Sequence, residues 1–235
     1  MRPVLLALLL GAAVASASSR TPPMGFNSWN HFGMHPTTDL LLGVAEAFEQ
    51  TGLKDAGYTY INTDDGWLQL NRTADGELQP MAAQFPGGIA ALADALHSKG
   101  FRFGIYGAAG QTTCGSRAGS LYHERRDAAT LAAWGVDYLK YDLCGQANLQ
   151  PYAHYYPMRD ALQATGRDVY LSFEPFFSLS FRFPITWAAY LGDSWRTAGD
   201  IRPKWSSILG NARSTNRWAG VARPGHFNDA DVSSC

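Results

Sequence analysis

The sequence predicts an α/β fold, a (β/α)8 TIM barrel in which about seven strands are present and the barrel is incomplete. Three observations carry that expectation. Strand-like and helix-like stretches alternate with a rhythm of roughly 35 residues, as βαβ units require. Each strand-like stretch ends in polar or charged residues, which parallel barrels gather at one rim. No Gly-rich dinucleotide turn is present, since Gly104-Ile105-Tyr106-Gly107 stands too isolated, so a doubly wound sheet fits less well.

The elements follow in order. Pro22 to Asn30 reads as a short strand with polar and aromatic residues at its end, Trp29 among them. Thr38 is the expected cap of a helix from Asp39 to Ala56, whose apolar stripe is Leu40, Leu41, Val44, Ala47 and Phe48, with Gly57 closing it. Tyr58 to Asp65 is a strand that finishes on the pair Asp64 and Asp65. A helix from Gly88 to Ser98 stops at Gly100, and the strand from Phe101 to Gly107 carries Tyr106. Next come a helix from Tyr122 to Trp134, a strand from Val136 to Cys144, and a helix from His154 to Ala164. The strand Asp168 to Pro175 ends on Glu174, and the stretch Asp193 to Asp200 holds Arg196 and Asp200. A helix near Lys204 to Trp218 precedes a last strand, His226 to Val232, with Asp229 and Asp231.

The strand from Val136 to Cys144 is the centre of this pattern. Lys140, Asp142 and Cys144 stand at alternating positions and share one face. A lysine and an aspartate buried there unpaired would be costly. Other segments end in the same way, and a barrel would gather their residues around one rim: Trp29, Asp64, Asp65, Tyr106, Glu174, Arg196, Asp200, Asp229 and Asp231. Many carboxylates with two cations suit a hydroxyl-rich ligand. A metal site asks for histidine or clustered oxygen ligands, and His226 is the only histidine at the rim. No metal and no cofactor is expected.

Composition narrows the partner. In 235 residues there are 19 basic and 20 acidic side chains, a net charge of −1. This scattered balance gives no basic surface for nucleic acid or an anionic membrane. The start of the chain has Arg2, the apolar run Val4 to Leu10 and the small residues Ala15-Ser16-Ala17, a secretory signal pattern. Residues 1–17 are thus expected to be a signal peptide and 18–235 one barrel domain, in the secretory pathway, extracellular or in a lysosome or vacuole. Nothing later resembles a membrane span. Of Cys114, Cys144 and Cys235 only one intramolecular pair can form; Cys114 and Cys144 stand at neighbouring strand ends, and Cys235 is left over. Asn71-Arg72-Thr73 is a glycosylation sequon in a polar loop.

Two carboxylates facing a sugar define glycoside hydrolysis, about 5–5.5 Å apart in a retaining enzyme. The nucleophile must be ionised, and Lys140 beside Asp142 is expected to lower its pKa. From the residues alone, Asp200 and Glu174 are both open as the acid.

Six motifs then carry a resemblance: Pro23-Met24-Gly25-Phe26-Asn27-Ser28-Trp29-Asn30, Asn62-Thr63-Asp64-Asp65-Gly66-Trp67, Gly104-Ile105-Tyr106, Lys140-Tyr141-Asp142-Leu143-Cys144, Ser194-Trp195-Arg196-Thr197-Ala198-Gly199-Asp200-Ile201 and Asn228-Asp229-Ala230-Asp231. Together, in collinear order from about Thr21 to Val232, they resemble the α-galactosidase and α-N-acetylgalactosaminidase family of retaining glycosidases. The resemblance implies Asp142 as nucleophile and Asp200 as acid/base. It implies that Asp64 and Asp65 take the C4 and C6 hydroxyls, Trp29 walls the pocket, and Lys140 binds hydroxyls beside the nucleophile. Arg196 and Asp231 hold the C2 and C3 side, Tyr106 is a further pocket residue, and Cys114 with Cys144 matches the disulfide beside the site. Glu174 near C2 favours plain galactose over N-acetylgalactosamine.

The implied substrate is thus a terminal α-galactoside in an oligosaccharide, polysaccharide or glycolipid. The alternatives are an N-acetylgalactosaminide, a β-L-arabinopyranoside, or a galactose-binding remnant without catalysis. Gly66 replaces the family's usual cysteine, and Pro175-Phe176-Phe177 its usual tryptophan. The family's eighth strand, last helices and C-terminal β domain are absent, so the sequence is expected to be an incomplete gene product or fragment, with Ser233-Ser234-Cys235 as a foreign tail.

Overall fold

The computed structural model describes residues 21–145, 151–174 and 185–231. The leader at 1–17, Pro175-Phe176-Phe177 and Cys235 lie outside the described residues. Seven parallel strands run side by side in sequence order: β1 (Gly25–Asn27), β2 (Tyr60–Asn62), β3 (Arg102–Ala108), β4 (Tyr138–Asp142), β5 (Tyr170–Phe173), β6 (Ser194–Arg196) and β7 (Phe227–Asp229). Strand after strand in sequence order, with a crossover each time, is the progression of an incomplete (β/α)8 barrel.

The connecting helices are α2 (Thr38–Thr51), α3 (Gly88–Ser98), α4 (Glu124–Ala133), α5 (Pro151–Ala164) and α6 (Trp205–Asn216). A short helix, α1 (Trp29–Phe32), follows β1 directly. The expected first strand therefore stops at Asn27, and Trp29 sits on a helical turn. The cap of α2 is Thr37, not Thr38; its hydroxyl accepts the Leu40 amide at 3.2 Å. Either threonine suits a cap chemically, and the extended backbone at Thr37 decides between them. Gly52, in the left-handed region, ends α2 five residues before Gly57.

Strand register explains the two faces of the sheet. Residues of one parity, Ile61, Phe103, Ile105, Leu139, Tyr141, Leu171, Phe173 and Trp195, pack in the main core with Leu41, Ile89, Leu92, Leu96, Leu131, Tyr155 and Met158 from the helices. The opposite parity forms layers on the inner face. At the N-terminal end Tyr60, Tyr138 and Tyr170 make an aromatic layer, with Tyr138 stacked on Tyr170 at 5.3 Å. One step up, Tyr106, Lys140, Ser172 and Ser194 are register partners across four strands. Above them lie Asp142, Glu174 and Arg196, where the strands end. The fold thus changes from aromatic to ionic along its own axis, which places polar chemistry at the C-terminal rim.

Candidate active site

Lys140 occupies the inner layer of β4, with its ammonium between two carboxylates. It donates to Asp64 Oδ2 at 2.7 Å and lies 3.2 Å from Glu174 Oε1. It also lies 5.3 Å from the ring centre of Tyr106. Burial works against its charge, but Asp64, Glu174 and Asp142 outweigh that and hold the lysine well above its ordinary pKa.

Arg196 on β6 extends the network. Its guanidinium reaches Glu174 Oε1 at 3.1 Å, Asp231 Oδ1 at 2.9 Å and Asp200 Oδ1 at 3.1 Å, and donates to the Ala198 carbonyl. A planar fork of donors suits this many oxygens at once. One chain of ion pairs therefore runs Asp64, Lys140, Glu174, Arg196, then Asp200 and Asp231, joining β4 and β6 to the segments that follow β2, β5, β6 and β7. Asp231 also accepts the Ile201 amide at 2.7 Å, which ties the end of β7 to the loop carrying Asp200.

Asp142 closes β4 and is buried. Its Oδ1 accepts the Leu143 amide at 2.7 Å and its Oδ2 accepts the Tyr106 hydroxyl at 2.8 Å. Cys114 Sγ lies 3.1 Å from Oδ2, and because Cys114 is bonded to Cys144 this is a sulfur contact without a proton to donate. The same disulfide consumes both sulfurs of the Cys114, Asp142 and Cys144 cluster, leaving one carboxylate for any cation.

Burial, and next the Glu174 charge, push the Asp142 carboxyl up to about 7, against Lys140, the Leu143 amide and Tyr106. This corrects the expectation that Lys140 leaves Asp142 with a lowered pKa. Lys140 does favour the anion, but its hydrogen bonds go to Asp64 and its nearest charges are Asp64 and Glu174, so desolvation wins at Asp142.

The acid pair after β2 is divided in role. Asp64 accepts its neighbour's amide on Oδ1 and Lys140 on Oδ2, and its own amide donates to Ser28 Oγ at 2.9 Å. Asp65 is taken up by a loop: Gly66 and Gly115 amides donate to it at 2.7 Å each, and Thr113 Oγ1 at 3.1 Å. Gly66 has φ +95, and a Cβ there would lie 2.5 Å from the Met34 carbonyl oxygen. A direct backbone approach therefore stands where the family's cysteine would be.

Asp200 contrasts with the rest of the site. Its side chain is 74% exposed, and among the described residues Arg196 is its one ion-pair partner. Glu174 is 7% exposed and spent on two cations, which separates the two carboxylates that the residues alone left equivalent. Trp29 is partly exposed at the start of α1, its amide donating to Asn27 Oδ1 at 2.9 Å.

Two groups stand out only in three dimensions. Ser28 is fully buried and positions Asp64, and Thr113 positions Asp65. Ser28 lies within the first motif, next to Trp29, so its place was visible although its role was not. Thr113 gave no signal beyond adjacency to Cys114.

A buried carboxylate at the end of a barrel strand, ringed by paired acids and cations, defines a (β/α)-barrel protein with a polar site at its C-terminal rim. Residues 21–234 match the model of the Melibiase_2 family, described as alpha galactosidase A, and the chain belongs to that family. The chain is 47% identical over 214 residues to an alpha-galactosidase of Cyamopsis tetragonoloba, covering 91% of this chain and 51% of that protein. A putative alpha-galactosidase structure from Bacteroides fragilis superposes with TM-score 0.85 at 41% identity, covering 90% of this chain and 47% of that one. The structure of an alpha-galactosidase from Saccharomyces cerevisiae with raffinose gives 0.81 at 35% identity, covering 90% and 52%. The chain thus spans about half the length of the relatives it matches.

Proposed function

We propose that the site hydrolyses terminal α-D-galactosyl residues with retention of configuration. The observation that carries this reading is the continuous ion-pair chain from Asp64 to Asp200 and Asp231 beside buried Asp142. It joins members of four of the six motifs, together with Glu174, from five strand ends into one acid-lined rim. The rim's carboxylates and Lys140 are fitted to receive sugar hydroxyls, and the yeast relative with raffinose supports an α-galactoside as ligand.

In this reading an Asp142 oxygen attacks C1 of the bound galactose and forms a glycosyl ester. The departing glycosidic oxygen takes the proton of Asp200. Asp200 then removes a proton from water, the hydroxide oxygen bonds to C1, and the ester bond to Asp142 breaks. Galactose leaves as the α-anomer, and both carboxyls return to their starting states. Tyr106 and the Leu143 amide hold the Asp142 oxygens in place for both displacements. Asp200 suits the acid/base role because it is open to the water with which it must exchange its proton. Asp64 and Asp65 would bind the C4 and C6 side, Trp29 would wall the pocket, and Arg196, Asp231 and Glu174 would face C2 and C3. Glu174, already fixed between Lys140 and Arg196, leaves a hydroxyl better served than an N-acetyl group at C2.

The secretory reading belongs with this function. Among the described residues no helix is long and apolar enough to cross a membrane. Asn71 is exposed, and a glycan there fits an extracellular, lysosomal or vacuolar protein.

The test is hydrolysis of nitrophenyl α-D-galactoside by the chain, with the first-formed anomer followed by NMR. Expected are α-galactose as first product, slower turnover of the N-acetylgalactosaminide and β-L-arabinopyranoside, and no turnover by Asp142→Asn. β-Galactose as first product, or an active Asp142→Asn, contradicts the assignment. Galactose binding without turnover favours the non-catalytic alternative.

A further inference from the structure

We infer that Arg72, outside the sugar site, is a positioning residue for Asp65; this rests on the sugar-binding reading given above. Arg72 lies in the loop after β2, and three of the four bonds from its terminal nitrogens reach other segments. Its two terminal nitrogens donate to Asp127 Oδ1 and Oδ2 at 2.7 Å each, a bidentate pair onto the first turn of α4. One also donates to the Gly76 carbonyl at 3.0 Å, and the other to the Gly119 carbonyl at 2.7 Å. The side chains are 12% and 1% exposed, so this charge-assisted set is largely shielded from water.

Gly119 is the return point of the loop between β3 and α4. Its amide donates to Gln111, and the next amide, Ser120, donates to Ala108 at the end of β3. Between those anchors the loop turns back on itself, with the Thr113 amide donating to the Arg117 carbonyl. At its tip Thr113 and Gly115 hold both oxygens of Asp65. Cys114, between them, is bonded to Cys144 and touches Asp142. Arg72 therefore holds the outer arm of a loop whose inner tip holds one proposed sugar ligand and abuts the proposed nucleophile.

A buried ion pair is weak evidence for stability, because desolvation offsets its attraction. Four directed bonds from one side chain do fix geometry, and here the fixed object is the loop that grips Asp65. Lysine at position 72 would keep the charge beside Asp127 but could not fork to both its oxygens and to Gly119 together.

The test uses Arg72→Lys and the isosteric Asp127→Asn in the full chain. Nitrophenyl α-galactoside kinetics, melting temperature and amide hydrogen exchange across 109–121 are measured for each. For Arg72→Lys, KM rises about tenfold with kcat within about twofold, the signature of lost uniform binding through Asp65. The Gly115 amide exchanges faster while the β4 amides are unchanged. Asp127→Asn, which leaves the Gly119 bond in place, shifts both readouts in the same direction by less. A lowered melting temperature with unchanged KM and unchanged Gly115 exchange in both variants makes Arg72 a structural brace and overturns the inference, while the hydrolase reading stands. If the wild-type chain neither hydrolyses nor binds α-galactoside, the functional reading fails and the sugar-positioning role falls with it.

Discussion

Asp142 is pulled two ways. Burial and the Glu174 charge favour the acid, while Lys140, the Leu143 amide and Tyr106 favour its anion, and the balance raises it to about 7. In its proposed role as nucleophile Asp142 must be ionised, so kcat/KM should fall as pH drops through about 7. Glu174→Gln removes the like charge and should move that acidic limb to lower pH, as read from a pH profile of nitrophenyl galactoside hydrolysis. A limb that stays in place would mean that another group controls ionisation. Stability carries the opposite slope. Burial also raises Asp193, to about 6. Both aspartates bind protons more tightly folded than unfolded, so their contribution is fully present below about 4 and is lost as pH rises through 6 to 7. Denaturation of Asp193→Asn should show a shallower decline over that range. Lys140 shows where residue-scale reading stopped short: alternation placed it on the face of Asp142, but only the register with Tyr106 and Ser172 aims it at Asp64 and Glu174.

At the scale of elements, the loop from Ala109 to Leu121 does the most to shape the site. It carries no hydrophobic periodicity; Cys114 alone tied it to the site, and nothing in its sequence announced that Thr113 and Gly115 would hold Asp65. The strands and helices around it were legible, because parallel strands buried on both faces read as apolar runs and glycine marks their helix ends. Their boundaries were less so: the Thr37 cap and the early stop of α2 at Gly52 depend on backbone angles that neighbouring threonines and glycines do not encode. The disulfide from Cys114 to Cys144 closes 30 residues across this loop and β4. Its replacement by Cys114→Ser with Cys144→Ser should cost about 2–4 kcal/mol in chemical denaturation, by the entropy of an unclosed loop. KM should rise as well, since Thr113 and Gly115 flank Cys114. Unchanged stability and KM would remove the loop from the account.

For the whole molecule, what matters is how distant segments meet. The ion-pair chain from Asp64 to Asp231 unites residues more than half the chain apart, and barrel topology is what makes them neighbours. That convergence was legible because each member stood at a strand end. The Arg72 to Asp127 clamp was not, since neither residue lies on the rim and their separation of 55 has no local signature. In the described residues β1 and β7 are the two outer strands of the sheet, and no residue of α6 is buried. Among the described residues the site is assembled from β2 to β7. The most direct measurement is covalent trapping of the chain with an activated fluorinated α-galactoside, followed by peptide mass mapping. The account predicts a single galactosyl adduct on Asp142, absent from Asp142→Asn; an adduct on Glu174, Asp200 or any other carboxylate would contradict it.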